Sequence, residues 1–337
     1  MRLSKTYIPK DYKPALSLYE TQKAIGLLKR VFEDNLCNNL NLTRVSAPLF
    51  VDPKTGLNDN LSGIERPVAF DIKETGKNGE VVHSLAKWKR LALHRYNFKP
   101  GEGICTDMNA IRRDEVMDNL HSIYVDQWDW EKIIPDGKRT LDYLKETVSL
   151  IVQSICITQE ELQRKFPALI PTLSSEISFI TSQELEDLYP NKTPKEREDA
   201  YLKKHKTAFI MQIGDILKSG QKHDDRAPDY DDWQLNGDIM FYCDTLQCAF
   251  EISSMGIRVD SKAMDEQLKK ANADDRRSLP FHKLLLEDKL PLTIGGGIGQ
   301  SRLSLILLKK AHIGEVQASI WDDETKEICE KNNITLL

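Results

Sequence analysis

The segment Leu292-Thr-Ile-Gly-Gly-Gly-Ile-Gly-Gln-Ser-Arg302 constrains its local structure more tightly than any other stretch of the chain. Glycines alternate at Gly295, Gly297 and Gly299 after an apolar lead-in, and Arg302 then opens an apolar run, Leu303 to Leu308. Glycine at every second position of a strand removes side chains from one face, so a flat ligand can approach the backbone. An arginine at the start of the next helix sets a positive fork beside that bare surface. The spacing predicts a strand that turns into a helix, with a nucleotide base on the strand and a phosphate at the arginine. The run is not a Rossmann fingerprint, because Gln300 stands where the third glycine belongs. Nor is it a P-loop, since no Gly-Lys-Ser/Thr follows. A plain tight turn is the alternative for the run taken alone.

The 337 residues exceed what one small core needs. With 40% hydrophobic and 29% charged residues, the composition is that of a globular protein. A net charge of −5 supplies no broad basic field, which argues against a nucleic-acid partner. Six cysteines (Cys37, Cys105, Cys156, Cys243, Cys248 and Cys329) have no C-x-x-C spacing and read as reduced thiols of a cytoplasmic protein. No signal-peptide core or membrane-length apolar run is present, so no membrane partner is expected. Sequons at Asn41, Asn191 and Asn333 are then chance occurrences.

Apolar periodicity predicts a helix from Ala15 to about Asn39, then a strand-like stretch from Leu40 to Phe50 that contains Pro48. A hairpin is expected across Gly76 to Gly79, a helix over Ser84 to His94, and strands over 103–111 and 122–130. The longest helix is expected within 137–165. Short strands at 178–180 and 208–213 flank a charged helix near Lys195 to Lys206. Further strands are expected at 238–243 and 249–259, helices near 265–270 and 280–287, and a last strand from Glu315 to Ile320. Most neighbouring strands are joined as hairpins. The fold class expected is therefore α+β, an antiparallel sheet flanked by helices, in a single domain spanning 1–337.

Other clusters carry chemical potential. On the strand Phe250 to Arg258, Glu251 and Ser253 share a face and Arg258 lies near the far end; a solvated face with a salt bridge is the bland alternative. Along His121 to Trp130, Tyr124, Asp126, Trp128 and Trp130 share one face, while Gln127 and Asp129 share the other. A polar face in mid-sheet usually lines a site. Ser84, Lys87 and Lys89 sit on one short helix, for which an exposed basic face is the default. The acidic stretch His223 to Trp233, followed by Asp238, suits a Mg²⁺ site or a surface loop.

Taken in order, these clusters resemble the core of class II aminoacyl-tRNA synthetases, especially the aspartyl and asparaginyl branch. Leu40 to Phe50 resembles the dimer-forming first motif. Arg112 to Glu115 with His121 to Asp129 resembles the second, and Gly295 to Arg302 the third. Ser301 departs from that pattern, which has an acidic residue before the arginine. Four stretches are similar, nearly word for word, to the ammonia-dependent aspartate–ammonia ligases: His83 to Arg90, Tyr124 to Trp130, Arg226 to Trp233 and Thr293 to Arg302.

The resemblance implies a homodimer that makes asparagine from aspartate, ammonia and ATP through β-aspartyl-AMP. It implies phosphate grips at Arg112 (with Arg113 as competitor) and Arg302, and a nucleotide bed of Tyr230, Gly297 and Gly299. Mg²⁺ is expected at Glu251, with Asp238 a second ligand or an orienting group. Arg258 is expected on the substrate α-carboxylate and Lys89 on the side-chain carboxylate. Ser84, Gln127, Asp129 and Asp231 are the remaining substrate contacts. Asp59, in the loop Asn58 to Gly63, is the candidate for handling ammonia; a plain Asn/Asp turn is its alternative. A tRNA synthetase would need an anticodon-binding module, and no residues are left over for one. A glutamine-using enzyme is disfavoured, because Arg2 stands where an N-terminal cysteine nucleophile belongs. A non-catalytic paralogue would be expected to lack Arg112, Glu251 or Arg302, and all are present.

Overall fold

A computed structural model describes residues 5–59 and 65–337. Arg2 and the loop residues Asn60 to Gly63 lie outside the described residues. Ser17 and Glu20 cap each other's backbone and start α1 (Leu18–Leu40), which ends at Asn41 in the left-handed conformation. The chain then forms β1 (Leu42–Arg44) and β2 (Phe50–Val51). These are two short strands in different sheets, where one continuous strand was expected. Pro48 lies between them; it lacks an N–H and cannot extend a ladder.

The hairpin β3 (Ala69–Ile72) and β4 (Lys77–Val81) completes a small sheet with β2. Then follow α2 (Ala86–Arg95), β5 (Gly103–Ile111), β6 (Tyr124–Ile133) and the longest helix, α3 (Leu141–Lys165). Next come β7 (Ser178–Thr181), α4 (Ser182–Leu188), α5 (Pro194–His205) and β8 (Thr207–Met211). The chain continues through β9 (Asp231–Cys243), β10 (Cys248–Arg258), α6 (Ser261–Lys270) and α7 (Pro280–Leu286). It closes with β11 (Thr293–Gly299), α8 (Gln300–Leu307) and α9 (Asp323–Lys331).

The main sheet has eight strands in the order β1-β5-β6-β11-β10-β9-β8-β7. It is mixed, which corrects the antiparallel expectation. The inner strands are antiparallel, but β1 runs parallel to β5 and β7 parallel to β8. The reason is the connection. α4 and α5 carry the chain from β7 back to the start of β8, and a helical crossover makes a parallel pair. The strand expected at Glu315 to Ile320 is absent. Glu315 instead accepts from the backbone N–H groups of Ala311 (2.9 Å) and His312 (3.1 Å), closing a 3₁₀ turn at Ile313–Glu315. Helix α9 then follows, which the apolar pattern did not reveal.

One face of the sheet is covered by α1 and α3, with Phe32 against Trp128 at a centroid distance of 4.6 Å and Trp130 fully buried beside them. The opposite face packs α2, α6 and α7 around Leu85, Met264 and Phe281. At the Tyr124–Gln127 end of β6, polar side chains come to the surface of a cavity.

Candidate active site

Strands β6 and β11 pair so that Gln127, Asp129 and Glu131 lie opposite Gly299, Gly297 and Gly295. The glycines do clear one face, but at two of them the cleared space holds side chains from β6. A Cβ on Gly295 would stand 2.0 Å from a Glu131 carboxylate oxygen, and one on Gly297 would stand 2.3 Å from Gln127 Oε1. Alternate glycine here admits a row of polar groups across the sheet. Gly297, Gly299 and Gln127 all line a cavity of about 520 Å³.

Behind that row is a dry charge network. The Lys89 ammonium, 1% exposed, donates to the Gly296 carbonyl at 2.9 Å and lies 3.2 Å from Asp129 and 4.0 Å from Glu131. The helix carrying it is therefore no solvated basic face; Lys87 and Arg90 are buried too. Arg258 donates to Glu131 through Nε (3.0 Å) and Nη2 (2.8 Å) and through Nη1 to Asp231. Thr293 donates to Glu131 at 2.7 Å. Burial works to raise the Glu131 carboxyl, but Arg258 outweighs it and holds the group below its ordinary range. The second oxygen of Asp129, Oδ2, is buried with no protein partner. An open acceptor in such a place calls for a ligand donor.

Strand parity alone puts Glu251 and Arg258 on opposite faces. A β-bulge between Glu251 and Ser253 inserts one residue and reverses the phase. Glu251 therefore faces the cavity together with Ser254, whereas sequence alternation had paired it with Ser253. Asp238 lies opposite Ser254 on β9, and Arg226 joins the two: it donates to Asp238 at 2.6 Å and to the Ser254 hydroxyl. Burial pushes the Asp238 carboxyl up to about 7; Arg226 opposes the rise and Glu251 adds to it. Burial acts the same way on Glu251, but Arg302 and then Arg226 keep it below the usual range. Among the described residues, no group of three or more His, Cys, Asp or Glu side chains is arranged to hold a metal by itself.

Arg302 lies in the first turn of α8 and donates to the Glu251 carbonyl (3.1 Å) and carboxylate (3.3 Å). It also donates to His121 Nε2 at 2.7 Å. An arginine only donates, so His121 accepts there and its Nδ1–H donates to Asp118 at 2.9 Å. Arg112 lines the same cavity, reaches the His83 carbonyl at 3.5 Å, and has a buried Nε–H without a protein partner. Arg113 is exposed and does not line the cavity. The geometry therefore separates two arginines that the sequence left in competition.

The stretch 223–233 is anchored by one buried carboxylate. Asp229 accepts from Lys87 (3.2 Å), Arg276 (3.1 Å) and His282 (2.9 Å). Its neighbour Tyr230 lines the cavity, with its ring 5.7 Å from the Arg258 guanidinium. Burial drives the Tyr230 phenol well above its ordinary pKa, and Asp59 and then Asp231 raise it further. Asp59 is buried, its backbone carbonyl 3.2 Å from His83 Nδ1, and it does not line the cavity. Ser84 stands just before α2, where its hydroxyl accepts from the Ala86 N–H at 3.1 Å; it does not line the cavity.

Glu131, Arg226 and His121 were not singled out from sequence. Glu131 continues the Gln127–Asp129 face by one more alternation, a signal that was available. Arg226 and His121 gave none beyond their position in the motifs.

A family model described as aspartate-ammonia ligase matches residues 19–333. The chain is 61% identical to an aspartate–ammonia ligase of Clostridium perfringens (strain SM101 / Type A), covering 99% of this chain and 100% of that protein. It is 58% identical to the enzyme of that name from Bacillus cytotoxicus, covering 96% and 99%. The chain belongs to the aspartate–ammonia ligase family. Solved structures that share the fold include asparaginyl-tRNA synthetase from Pyrococcus horikoshii complexed with asparaginyl-adenylate (TM-score 0.62, 14% identity, 95% of this chain and 77% of that one). Another is asparaginyl-tRNA synthetase from Entamoeba histolytica (TM-score 0.61, 11% identity, 89% and 67%). A class II synthetase-like core in a member of the ligase family is what the motifs led one to expect. Among the described residues, no helix is long and apolar enough to cross a membrane.

Proposed function

We propose that this ligase-family protein makes L-asparagine from L-aspartate, ammonia and ATP through β-aspartyl-AMP, releasing AMP and pyrophosphate. The observation that carries the reading is the meeting of Arg112, Arg302 and Gln127 around one cavity, with Asp129 and Glu131 continuing the Gln127 row into the buried charge network beside it. Arginines at one end suit a polyphosphate, and paired charges at the other suit a zwitterionic amino acid.

An aspartate carboxylate is a poor electrophile and needs a leaving group. Its β-carboxylate oxygen attacks the α-phosphorus, the bond to the bridging oxygen breaks, and pyrophosphate leaves. The unpaired Nε–H of Arg112 is available to the α-phosphate and Arg302 to the terminal one. Glu131 and Asp231 brace Arg258, which keeps two further N–H groups for the substrate α-carboxylate. Asp129 Oδ2 is the open acceptor for the α-ammonium, with Gln127 beside it; Lys89 faces the side-chain carboxylate. Tyr230, Gly297 and Gly299 form the nucleotide bed.

Ammonia then attacks the acyl carbon, AMP departs, and the nitrogen sheds a proton to a nearby carboxylate. Asp59 is assigned that part. Mg²⁺ fits Glu251 and Asp238, whose mutual repulsion a cation would relieve; it would neutralise phosphate charge while phosphates complete its shell. We also place the protein in the cytoplasm as a homodimer, one catalytic unit per chain.

The test mixes protein, ATP, Mg²⁺ and aspartate with ammonium or with glutamine. AMP and asparagine should form with ammonium alone. ADP as product, or strict dependence on tRNA, would overturn the reading.

A further inference from the structure

Asp126 borders the same cavity, together with Ser301 and Gln317, but has no part in the roles assigned above. It belongs to the tryptophan face of β6, yet its carboxylate reaches the start of α8. Oδ1 accepts from the Ser301 N–H at 3.0 Å and from Gln317 at 3.2 Å. Oδ2 accepts from the Ser301 hydroxyl at 2.8 Å and from Lys29 at 3.4 Å. Gln317 also donates to the Ser301 hydroxyl at 2.9 Å. Asp126 is 6% exposed and Ser301 3%.

Helix α8 needs such a partner. Its first N–H groups have no intrahelical acceptor, and Gly299 at the cap position has no side chain to offer. A carboxylate at a helix N-terminus meets both the free N–H groups and the positive end of the helix dipole. Here the carboxylate comes from a different strand, and the serine before Arg302 is the handle it grips. The next residue on α8 is Arg302, whose guanidinium lies across Glu251 and His121.

We infer that Asp126 is the positioning residue for Arg302. Its grip on Ser301 fixes the first turn of α8 and hence the angle at which Arg302 meets the ATP polyphosphate. The inference rests on the proposed phosphate role of Arg302, so both must be tested together.

The experiment measures ATP binding by calorimetry without aspartate, and the KM values for ATP and for aspartate, in Arg302→Ala, Asp126→Asn, Ser301→Ala and the exchange Asp126→Ser with Ser301→Asp. Losing charge-assisted hydrogen bonds of this kind is worth about tenfold or more. Asp126→Asn is therefore expected to weaken ATP binding by about tenfold with little change in the aspartate KM. Ser301→Ala, which keeps the backbone contact, should have the smaller effect. The exchange, which returns a carboxylate to the helix start, should recover part of the loss. If Arg302→Ala leaves ATP binding intact, the phosphate role itself fails. If Arg302→Ala weakens it but Asp126→Asn does not, the positioning role fails. An equal rise in both KM values for Asp126→Asn, with no recovery in the exchange, would also overturn it as mere structural damage.

Discussion

Glu131→Gln is the sharpest probe of the charge network under the cavity. Glu131 is fully buried, accepts from both Nε and Nη2 of Arg258 and from Thr293, and lies 4.0 Å from Lys89. Gln keeps the volume and one acceptor oxygen but removes the charge. Arg258 then retains Asp231 alone, and Lys89 retains Asp129. Breaking a buried ion pair by removing one partner costs ~3–5 kcal/mol, because the other charge stays buried without compensation. With the shape kept, the loss should fall near the lower end, about 3 kcal/mol. That is a large share of a total stability of roughly 5–15 kcal/mol. Urea unfolding followed by tryptophan fluorescence reads it, since Trp128 and Trp130 immediately precede this position on the same strand. The deficit depends on pH in a defined sense. Glu131 titrates below its ordinary value of 4.5 in the fold, so its contribution is complete above that pH and is lost as the pH falls further. The gap between parent and variant should therefore shrink on acidification below about 4.5 and stay constant above it. The aspartate KM should rise while ATP binding holds. A stability change under 1 kcal/mol at pH 7, together with an unchanged aspartate KM, would refute the claim that Glu131 holds Arg258 for substrate (compare the ~3–5 kcal/mol of a true buried pair).

Gly297→Ala places a methyl 2.3 Å from Gln127 Oε1 and 2.7 Å from Asp129 Oδ1. Overpacking of this kind costs about 1–3 kcal/mol, and the aspartate KM should rise with it; an unchanged KM would show that the row does not touch substrate. Arg112→Ala should depress adenylate formation, followed as aspartate-dependent pyrophosphate exchange, by a hundredfold or so, the scale of losing one charge-stabilising donor. Arg113→Ala should stay near the parent, and the reverse pattern would sink the assignment. Asp238 titrates near 7 in the fold against 3.8 ordinarily. A raised carboxyl favours folding below the lower value and loses that contribution as the pH climbs through 7. Asp238→Asn should accordingly gain stability relative to the parent between pH 4 and pH 8, measured by thermal unfolding at both; a constant difference would contradict the burial argument.

Much of the site was legible because its signals are local. The alternation of Gln127 and Asp129 on a strand, glycines at 295, 297 and 299, and an arginine at the helix start each follow from periodicity and side-chain chemistry. Other features could not be read that way. A β-bulge leaves no sequence mark at Ile252, so alternation paired Glu251 with Ser253, whereas the fold turns it to the cavity with Ser254. The parallel pairing of β1 with β5 and β7 with β8 follows from where helices return the chain, which local propensity does not encode. The strand expected at 315–320 failed because one side chain, Glu315, accepts from two backbone N–H groups and locks a turn.

The opening glycine run shows the division plainly. Its strand-turn-helix form and its arginine are properties of the sequence itself, because glycine permits close approach whatever surrounds it. What approaches was decided by the tertiary structure. Register with β6 fills the space at Gly295 and Gly297 with carboxylate and carboxamide groups. Asp126, from another strand, supplies the acid that Ser301 lacks. Charges that attract over 3 Å can come from any part of the chain, so their pairing depends on the packed fold and not on neighbouring residues.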